Sequence, residues 1–171
     1  MFTARMCMTL FTLMIEVDRL GYNLIEVNHL ISFVTSLEMD MEVVVLPDAQ
    51  AIAERAADAI EAVLVAKPNA VLGTATGSSP LPLYDELVRR NQAGKLSFKD
   101  VTGYMLDEYV GLPVDHYERY ANFMERNLRS RTDMAPGALH GPDALNPDPQ
   151  VACDDYERAL AEAGYADVQI L

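Results

Sequence analysis

The chain has 171 residues, half of them hydrophobic and 23% charged, which predicts a folded domain and excludes wholesale disorder. Its 13 basic and 26 acidic residues give a net charge of −13. A chain this acidic repels phosphate backbones, so general binding of DNA or RNA is excluded, whereas a local site for one small anion is not.

Residues 1–40 differ in pattern from the remainder. The apolar run Met6–Ile15 is too short to span a bilayer and lacks a signal-peptide cleavage site, so we expect no membrane insertion. The segment is interpreted as an atypical extension. It is either an amphipathic or partner-binding arm, or the result of translation that starts later, at Met39 or Met41. The later start is favoured, and it assigns the domain to residues 41–171.

From Met41 onwards, short β-branched runs alternate with amphipathic helical patterns. The pattern predicts strands near 42–46, 70–74, 101–106 and 167–171. Helices are predicted after Asp48, after Pro80, around Tyr120 and after Asp148, and residues 134–149 are predicted to form a loop. Such alternation is typical of an α/β fold with a Rossmann-like, three-layer αβα architecture and a parallel sheet. We expect this domain to be truncated after its fourth strand, at Leu171.

The segment GTATGSSP, residues 73–80, joins the second predicted strand to a helix. Gly77 allows a tight turn, and the amides of Gly77, Ser78 and Ser79 are expected at a helix N-terminus, where the dipole favours an anion. Thr76 adds a hydroxyl group. No Lys follows the second glycine, so this is not a nucleotide-binding P-loop. The segment is therefore either a phosphate-binding loop or an ordinary helix start.

Asp107 and Glu108 directly follow the third predicted strand. Because ligands of parallel sheets bind at the carboxyl ends of strands, either acid is a candidate general base. Partial burial would raise the pKa of such a carboxyl group. The alternative is that these acids cap a helix or a turn. Tyr109, the next residue, either donates a hydrogen bond or packs.

Cysteine and histidine residues are scattered. Cys7 and Cys153 form no CxxC pair, and His29, His116 and His140 form no HExxH motif. We therefore expect no metal site. Two isolated thiols favour a reducing compartment, so we expect the protein in the cytoplasm.

Four segments, taken in order, resemble the glucosamine-6-phosphate deaminase family. They read GTATGSSPLPLYDEL, LSFKDV, MLDEYVGL and HYERYANFM, and the resemblance extends over residues 41–171. Its most specific part is LDEYVGLP, residues 106–113. The related 6-phosphogluconolactonases share the fold but generally carry Asp-Glu-Arg where this chain has Asp107-Glu108-Tyr109. A lactonase-like hydrolase is therefore the alternative within the same fold.

The resemblance implies specific roles for the two candidate segments. Residues 76–79, Thr76 to Ser79, would bind the phosphate of a sugar phosphate. Asp107 would move a proton between carbons 2 and 1 of open-chain glucosamine 6-phosphate, with Glu108 and Tyr109 in support. Ammonia would leave and fructose 6-phosphate would form, without a metal or redox cofactor. A homo-oligomer is a further expectation from the resemblance.

The sequence also departs from this family. Family members continue with a segment of the form GxGxDGHxxFNEP, which holds the ring-opening histidine, whereas this chain ends at Leu171. His116 and His140 do not occupy the matching position, and Tyr117 stands where relatives usually have proline. We therefore expect impaired turnover. The alternatives are a non-catalytic sugar-phosphate-binding module or interaction subunit, or a remnant whose last strand leaves an unpaired edge.

Overall fold

The computed structural model describes residues 11–12 and 41–171, and the chain divides into two compact units, residues 1–52 and 53–171. In the first unit, β1 (Phe11–Thr12) pairs in parallel with β2 (Met41–Glu42). The remainder of the predicted N-terminal extension lies outside the described residues. The first predicted strand, 42–46, was wrong in extent, because β2 ends at Glu42. The β-branched composition of residues 43–46 favours a strand, but a strand also requires a neighbour to pair with.

The second unit contains a four-stranded parallel sheet. Helix α1 (Ala49–Ala66) begins in the first unit and continues into the second. It is followed by β3 (Val71–Thr74), α2 (Leu81–Gln92), β4 (Thr102–Met105), α3 (Tyr120–Asn127), a 3-10 turn (Arg129–Arg131), β5 (Leu139–His140), α4 (Pro149–Glu162) and β6 (Val168–Gln169). The strand order is β5-β4-β3-β6, and every neighbouring pair is parallel. This confirms the predicted α/β fold.

One strand of this sheet was missed in the sequence. Leu139 and His140 form β5 beside Gly103 and Tyr104 of β4, inside the segment that was predicted to be a loop. Two residues are too few to produce a recognisable alternation of polar and apolar side chains, and their strand conformation depends on pairing with β4. The sheet thus has four strands, but β5 is one of them and the predicted strand 42–46 is not.

The predicted helix starts are confirmed, and two of them are capped by aspartate side chains. Asp148 Oδ1 accepts hydrogen bonds from the backbone N–H groups of Gln150, at 2.9 Å, and Val151, at 3.4 Å. Asp48 Oδ1 accepts one from Ala51 at 2.8 Å. Each cap satisfies amides that a helix leaves without a partner in its first turn. The β–helix–β order therefore follows local signals that the sequence carries.

The core lies between the sheet and the helices of the second unit. All four residues of β3 are buried. The largest fully buried apolar side chains come from β3, from α2, from the connection between α2 and β4, and from α3 and the residue that follows it: Leu72, Tyr84, Leu87, Phe98, Val101, Met124 and Leu128. Burial on this scale around one short strand makes β3 the centre of the domain.

A cluster of charged side chains around the buried Glu86 joins α1 to α2. The Glu86 side chain is only 1% exposed and accepts hydrogen bonds from Arg89 and from Arg90 Nε, at 2.6 and 2.7 Å. Arg90 also bonds Asp58 and Glu61 of α1, at 2.8 and 2.7 Å. The hydrogen bonds from Arg89 lower the pKa of Glu86 to about 2; burial opposes them and Arg90 adds to them. Glu86 is therefore charged in the folded protein and holds both arginines in place.

Replacing Glu86 with glutamine should lower the free energy of unfolding at pH 7 by about 3 kcal/mol, because Arg90 loses its most buried charged partner. The folded-state pKa of Glu86 lies below its ordinary value of 4.5, so its stabilisation is present above that pH and is lost as the pH falls towards 2. Urea unfolding should therefore show that the difference in free energy of unfolding between wild type and Glu86→Gln becomes smaller from pH 5 to pH 2. A gap that stays constant would contradict this assignment.

Candidate active site at the carboxyl ends of strands β3 and β4

The register between β3 and β4 determines which loops meet. Thr74, the last residue of β3, lies opposite Met105, the last residue of β4, and the two strands are parallel. Neighbouring strands in a sheet lie about 5 Å apart. The glycine- and serine-containing loop after β3 and the acidic segment after β4 therefore leave the same edge of the sheet, side by side.

The loop after β3, residues 75–80, is held at its base by a buried tyrosine. Tyr84 of α2 accepts a hydrogen bond from the Ala75 N–H at 3.1 Å and donates one to the Ala75 carbonyl oxygen at 2.6 Å. Burial raises the pKa of Tyr84, so the hydroxyl keeps its proton. Gly77 has a φ of +103°, a conformation that favours glycine. The loop thus turns sharply above a fixed base.

The tip of this loop presents unused hydrogen-bond donors. Gly77, Ser78 and Ser79 are exposed, and Thr76 is half-buried. Within residues 41–171, the backbone N–H groups of Gly77, Ser78 and Ser79 have no hydrogen-bond acceptor. They precede α2, a helix of 12 residues, whose dipole places partial positive charge at this end. The arrangement is that of a site for a small anion.

Glu108 is a buried helix cap. Its side chain is 2% exposed, and Oε1 accepts hydrogen bonds from the N–H groups of Tyr109 and Tyr120 at 2.9 and 2.8 Å. Oε2 accepts one from Ala121 at 3.0 Å and lies 3.5 Å from Arg119 Nε. Burial acts to raise the pKa of Glu108, but the three N–H donors and the Arg119 charge outweigh it, so the pKa is lowered. The expectation that burial would raise a carboxyl pKa here was wrong for Glu108.

Asp107 has the opposite surroundings. It is exposed, and within residues 41–171 its carboxylate accepts no hydrogen bond. The strand end before it is fixed, because Tyr156 of α4 donates a hydrogen bond to the Met105 carbonyl oxygen at 2.7 Å. Burial is the main cause that raises the pKa of Tyr156 to about 12. Of the two acids that the sequence offered, one therefore caps a helix and the other is available to a substrate.

Two tyrosines connect the acidic segment to the loop. The ring of Tyr109 lies 4.7 Å from the ring of Tyr120, with an angle of 47° between their planes. Interaction with the Tyr109 side chain and burial raise the pKa of Tyr120, whereas the Thr76 side chain in the loop acts to lower it. The sequence placed Tyr120 only within a predicted helix. Its position beside Thr76 has no sequence signal, and the sequence left open whether Glu108 is a cap or a base, since both depend on contacts between distant segments.

Two features are absent from the described residues. Among residues 11–12 and 41–171, no group of three or more His, Cys, Asp or Glu side chains could hold a metal ion. None of the helices in the same part of the chain is long and apolar enough to cross a membrane.

The sequence of residues 48–171 matches the family described as glucosamine-6-phosphate isomerases/6-phosphogluconolactonase. The chain belongs to this family. Glucosamine-6-phosphate deaminases from Mycolicibacterium smegmatis and Beutenbergia cavernae are 56% and 52% identical to it over 131 residues. Each alignment covers 77% of this chain and 50% of the relative, so the chain spans about half the length of the curated relatives it matches.

Solved structures of the same family share the fold. A monomeric glucosamine-6-phosphate deaminase is 32% identical, with a TM-score of 0.73, over 75% of this chain and 54% of that chain. A 6-phosphogluconolactonase from Thermotoga maritima is 25% identical, with a TM-score of 0.58, over 69% of this chain and 52% of that chain. The family resemblance that the sequence motifs indicated is thus confirmed.

The cap formed by Glu108 can be tested by its effect on stability. Glu108→Gln should lower the free energy of unfolding at pH 7 by about 1 to 3 kcal/mol, because a neutral amide is a weaker acceptor for the helix amides and leaves Arg119 without its carboxylate. Glu118→Gln, at an exposed position before the same helix, should change it by less than about 0.5 kcal/mol. Equal effects in urea unfolding would show that Glu108 is not a cap.

Proposed function

We propose that residues 41–171 carry the phosphate-binding loop and the enolising base of a glucosamine-6-phosphate deaminase, which acts in amino-sugar catabolism in the cytoplasm. One observation supports this above the others. The register of β3 and β4 brings together a loop whose backbone N–H groups have no acceptor and Asp107, whose carboxylate accepts no hydrogen bond from residues 41–171. A sugar phosphate has the matching chemistry, with a dianion at one end and acidic C–H bonds beside a carbonyl at the other.

In this proposal the loop holds the phosphate. The N–H groups of Gly77, Ser78 and Ser79 donate to its oxygens, and the hydroxyl of Thr76 lies beside them. Helix α2 favours the negative charge at its N-terminus. The Tyr84 hydrogen bonds keep the loop in position without ligand, so little ordering is needed on binding. Because the phosphate is anchored, the reacting carbons lie at a fixed distance from the loop.

Asp107 is proposed as the base. Its carboxylate removes the proton from carbon 2 of the open-chain aldehyde, and the electron pair forms a double bond between carbons 2 and 1. The C=O π electrons move to the oxygen on carbon 1, which takes a proton from the ammonium group on carbon 2, so an enolamine forms. The protonated Asp107 then returns the proton to carbon 1, which leaves an imine at carbon 2. Water adds to the imine, ammonia leaves and fructose 6-phosphate results. A positioned acid–base group of this kind contributes about 100- to 10,000-fold in rate.

The deaminase is favoured over a lactonase for two reasons. The curated relatives at 56% and 52% identity are glucosamine-6-phosphate deaminases, whereas the lactonase structure is 25% identical. In addition, Tyr109 stands where lactonases generally carry arginine, and its ring packs on Tyr120. An aromatic side chain in this place supplies no positive charge for a second anionic group.

Phosphate binding can be tested by NMR titration of the amides. Inorganic phosphate and glucosamine 6-phosphate should first shift the resonances of Gly77, Ser78 and Ser79. Gly77→Ala should weaken both shifts, because alanine disfavours a φ of +103°. Gly137→Ala is the matched control, since Gly137 also has a positive φ, of +79°, in a different loop. Shifts confined to other residues would show that the loop is not the phosphate site.

The role of Asp107 can be tested in a chimera that joins this chain to the second half of the Mycolicibacterium smegmatis relative. Asp107→Asn should reduce ammonia release by at least about 100-fold, because the amide cannot accept the carbon-2 proton. Glucosamine 6-phosphate should still shift the loop amides. Asp115→Asn, at an exposed acid on the same connection, should retain activity.

Each other outcome identifies a different alternative. Activity of Asp107→Asn close to that of the unchanged chimera would show that Asp107 is not the base. Binding without turnover in the unchanged chimera would indicate a non-catalytic sugar-phosphate-binding module. Hydrolysis of 6-phosphogluconolactone in place of ammonia release would indicate the lactonase.

A further inference from the structure

Arg119 is a buried arginine at the start of α3. It is 8% exposed and directly precedes Tyr120, the first residue of the helix. Its Nε atom lies 3.5 Å from Glu108 Oε2 without forming a hydrogen bond. The two oxygens of Glu108 already accept three backbone N–H groups, from Tyr109, Tyr120 and Ala121. Charge attraction therefore holds Arg119 beside Glu108, while the hydrogen-bonding capacity of its guanidinium is unused.

No N–H group of the Arg119 side chain has an acceptor within residues 41–171. Nε is fully buried and unpartnered, and the two terminal nitrogens make no hydrogen bond although they are not fully buried. Asp115 and Glu118, exposed acids of the same connection, do not pair with Arg119. Buried polar groups are nearly always hydrogen-bonded, because an unpaired one is costly. The guanidinium thus lacks an acceptor that only a group from outside this part of the chain can supply.

Arg90 shows how this protein satisfies a buried arginine elsewhere. It is also 8% exposed. Its Nε donates to Glu86 at 2.7 Å, Nη1 donates to Glu61 at 2.7 Å, and Nη2 donates to the Glu54 carbonyl oxygen at 3.1 Å. Every nitrogen of that guanidinium has an acceptor from the chain, whereas the nitrogens of Arg119, at equal burial, have none among the described residues.

We propose that Arg119 is a binding residue for one oxyanion, a carboxylate or phosphate group of a small molecule, at the start of α3. A guanidinium presents its terminal N–H groups as a planar fork that matches two oxygens of such a group. The charges permit it, because those of Arg119 and Glu108 cancel and the N-terminus of α3 adds about half a positive charge. This site goes beyond the proposed function, since no step assigned to the loop or to Asp107 requires it.

NMR of the arginine side chains tests the proposal in the unmutated 171-residue chain. With isotope-labelled arginine, inorganic phosphate should shift the guanidinium resonance of Arg119 in a saturable manner. Arg158 is the matched control, because its side chain is 63% exposed and pairs with Asp155. Its resonance should move no more than it does in sodium chloride of equal ionic strength. An Arg119 resonance that moves only as much as that of Arg158 would overturn the proposal.

Variants measure the size of the effect, with the backbone amides of Glu118 and Tyr120 as reporters. Arg119→Gln should weaken phosphate binding at this site at least about tenfold, the usual effect of losing a hydrogen bond to a charged group. Arg119→Lys keeps the charge but not the planar fork, so it should lose less. Arg158→Gln should change the affinity by less than about twofold. A folded Arg119→Gln variant that binds phosphate as wild type does would contradict the role of Arg119.

The anion has two sources, which Gly77→Ala separates. If Arg119 binds the phosphate group that the loop also holds, its titration with glucosamine 6-phosphate should weaken together with that of the loop amides. If it binds a separate anion, its midpoint with inorganic phosphate should stay unchanged. Both results support an anion site at Arg119. Loop amides that shift in wild type without Arg119 would overturn this proposal and leave the proposed function intact, whereas a shift of Arg119 alone would do the reverse.

Discussion

The parallel register between β3 and β4 is the constraint on which the candidate site depends. Because Thr74 lies opposite Met105, the loop and the acidic segment begin at the same level. A slip of one residue would turn every side chain of a strand to the other face of the sheet, so a buried pair of strands specifies its register strongly. The Thr74 hydroxyl, which bonds the Tyr104 carbonyl oxygen at 3.2 Å, adds a side-chain contact across the same two strands.

Glu86, Glu108 and Asp107 differ in burial and in the groups that compensate their charge. Glu86 and Glu108 are buried, and each is compensated locally, by two arginines in one case and by three backbone N–H groups with Arg119 in the other. Such compensation is required because an isolated charge in the interior is very costly. Asp107 is exposed and has no such partner within residues 41–171. The proposed base is therefore the one of these three acids that makes no hydrogen bond within residues 41–171.

Three side chains fix the backbone around the candidate site through hydrogen bonds. Tyr84 holds the base of the loop, Tyr156 holds the end of β4, and Glu108 holds the start of α3. All three use a side chain from one element to bind the backbone of another. Since such contacts orient the loop before any ligand arrives, ordering the loop costs less entropy when the proposed ligand binds than it would on a flexible surface.

The sequence by itself determined the class of fold and the family, and it predicted a helix start after residues 73–80 and two candidate acids, Asp107 and Glu108. The elements of the fold can be predicted because aspartate caps, β-branched runs and glycine turns depend only on residues that are close together in the sequence. It could not determine strand β5, which exists only through its pairing with β4. It left two alternatives open for Asp107 and Glu108, and only the tertiary structure showed that Glu108 caps α3, since Tyr120 and Ala121, whose N–H groups it binds, lie 12 and 13 residues further along the chain. The place of Tyr120 beside Thr76 was likewise decided by folding, because the two residues come from different elements that meet only at the edge of the sheet.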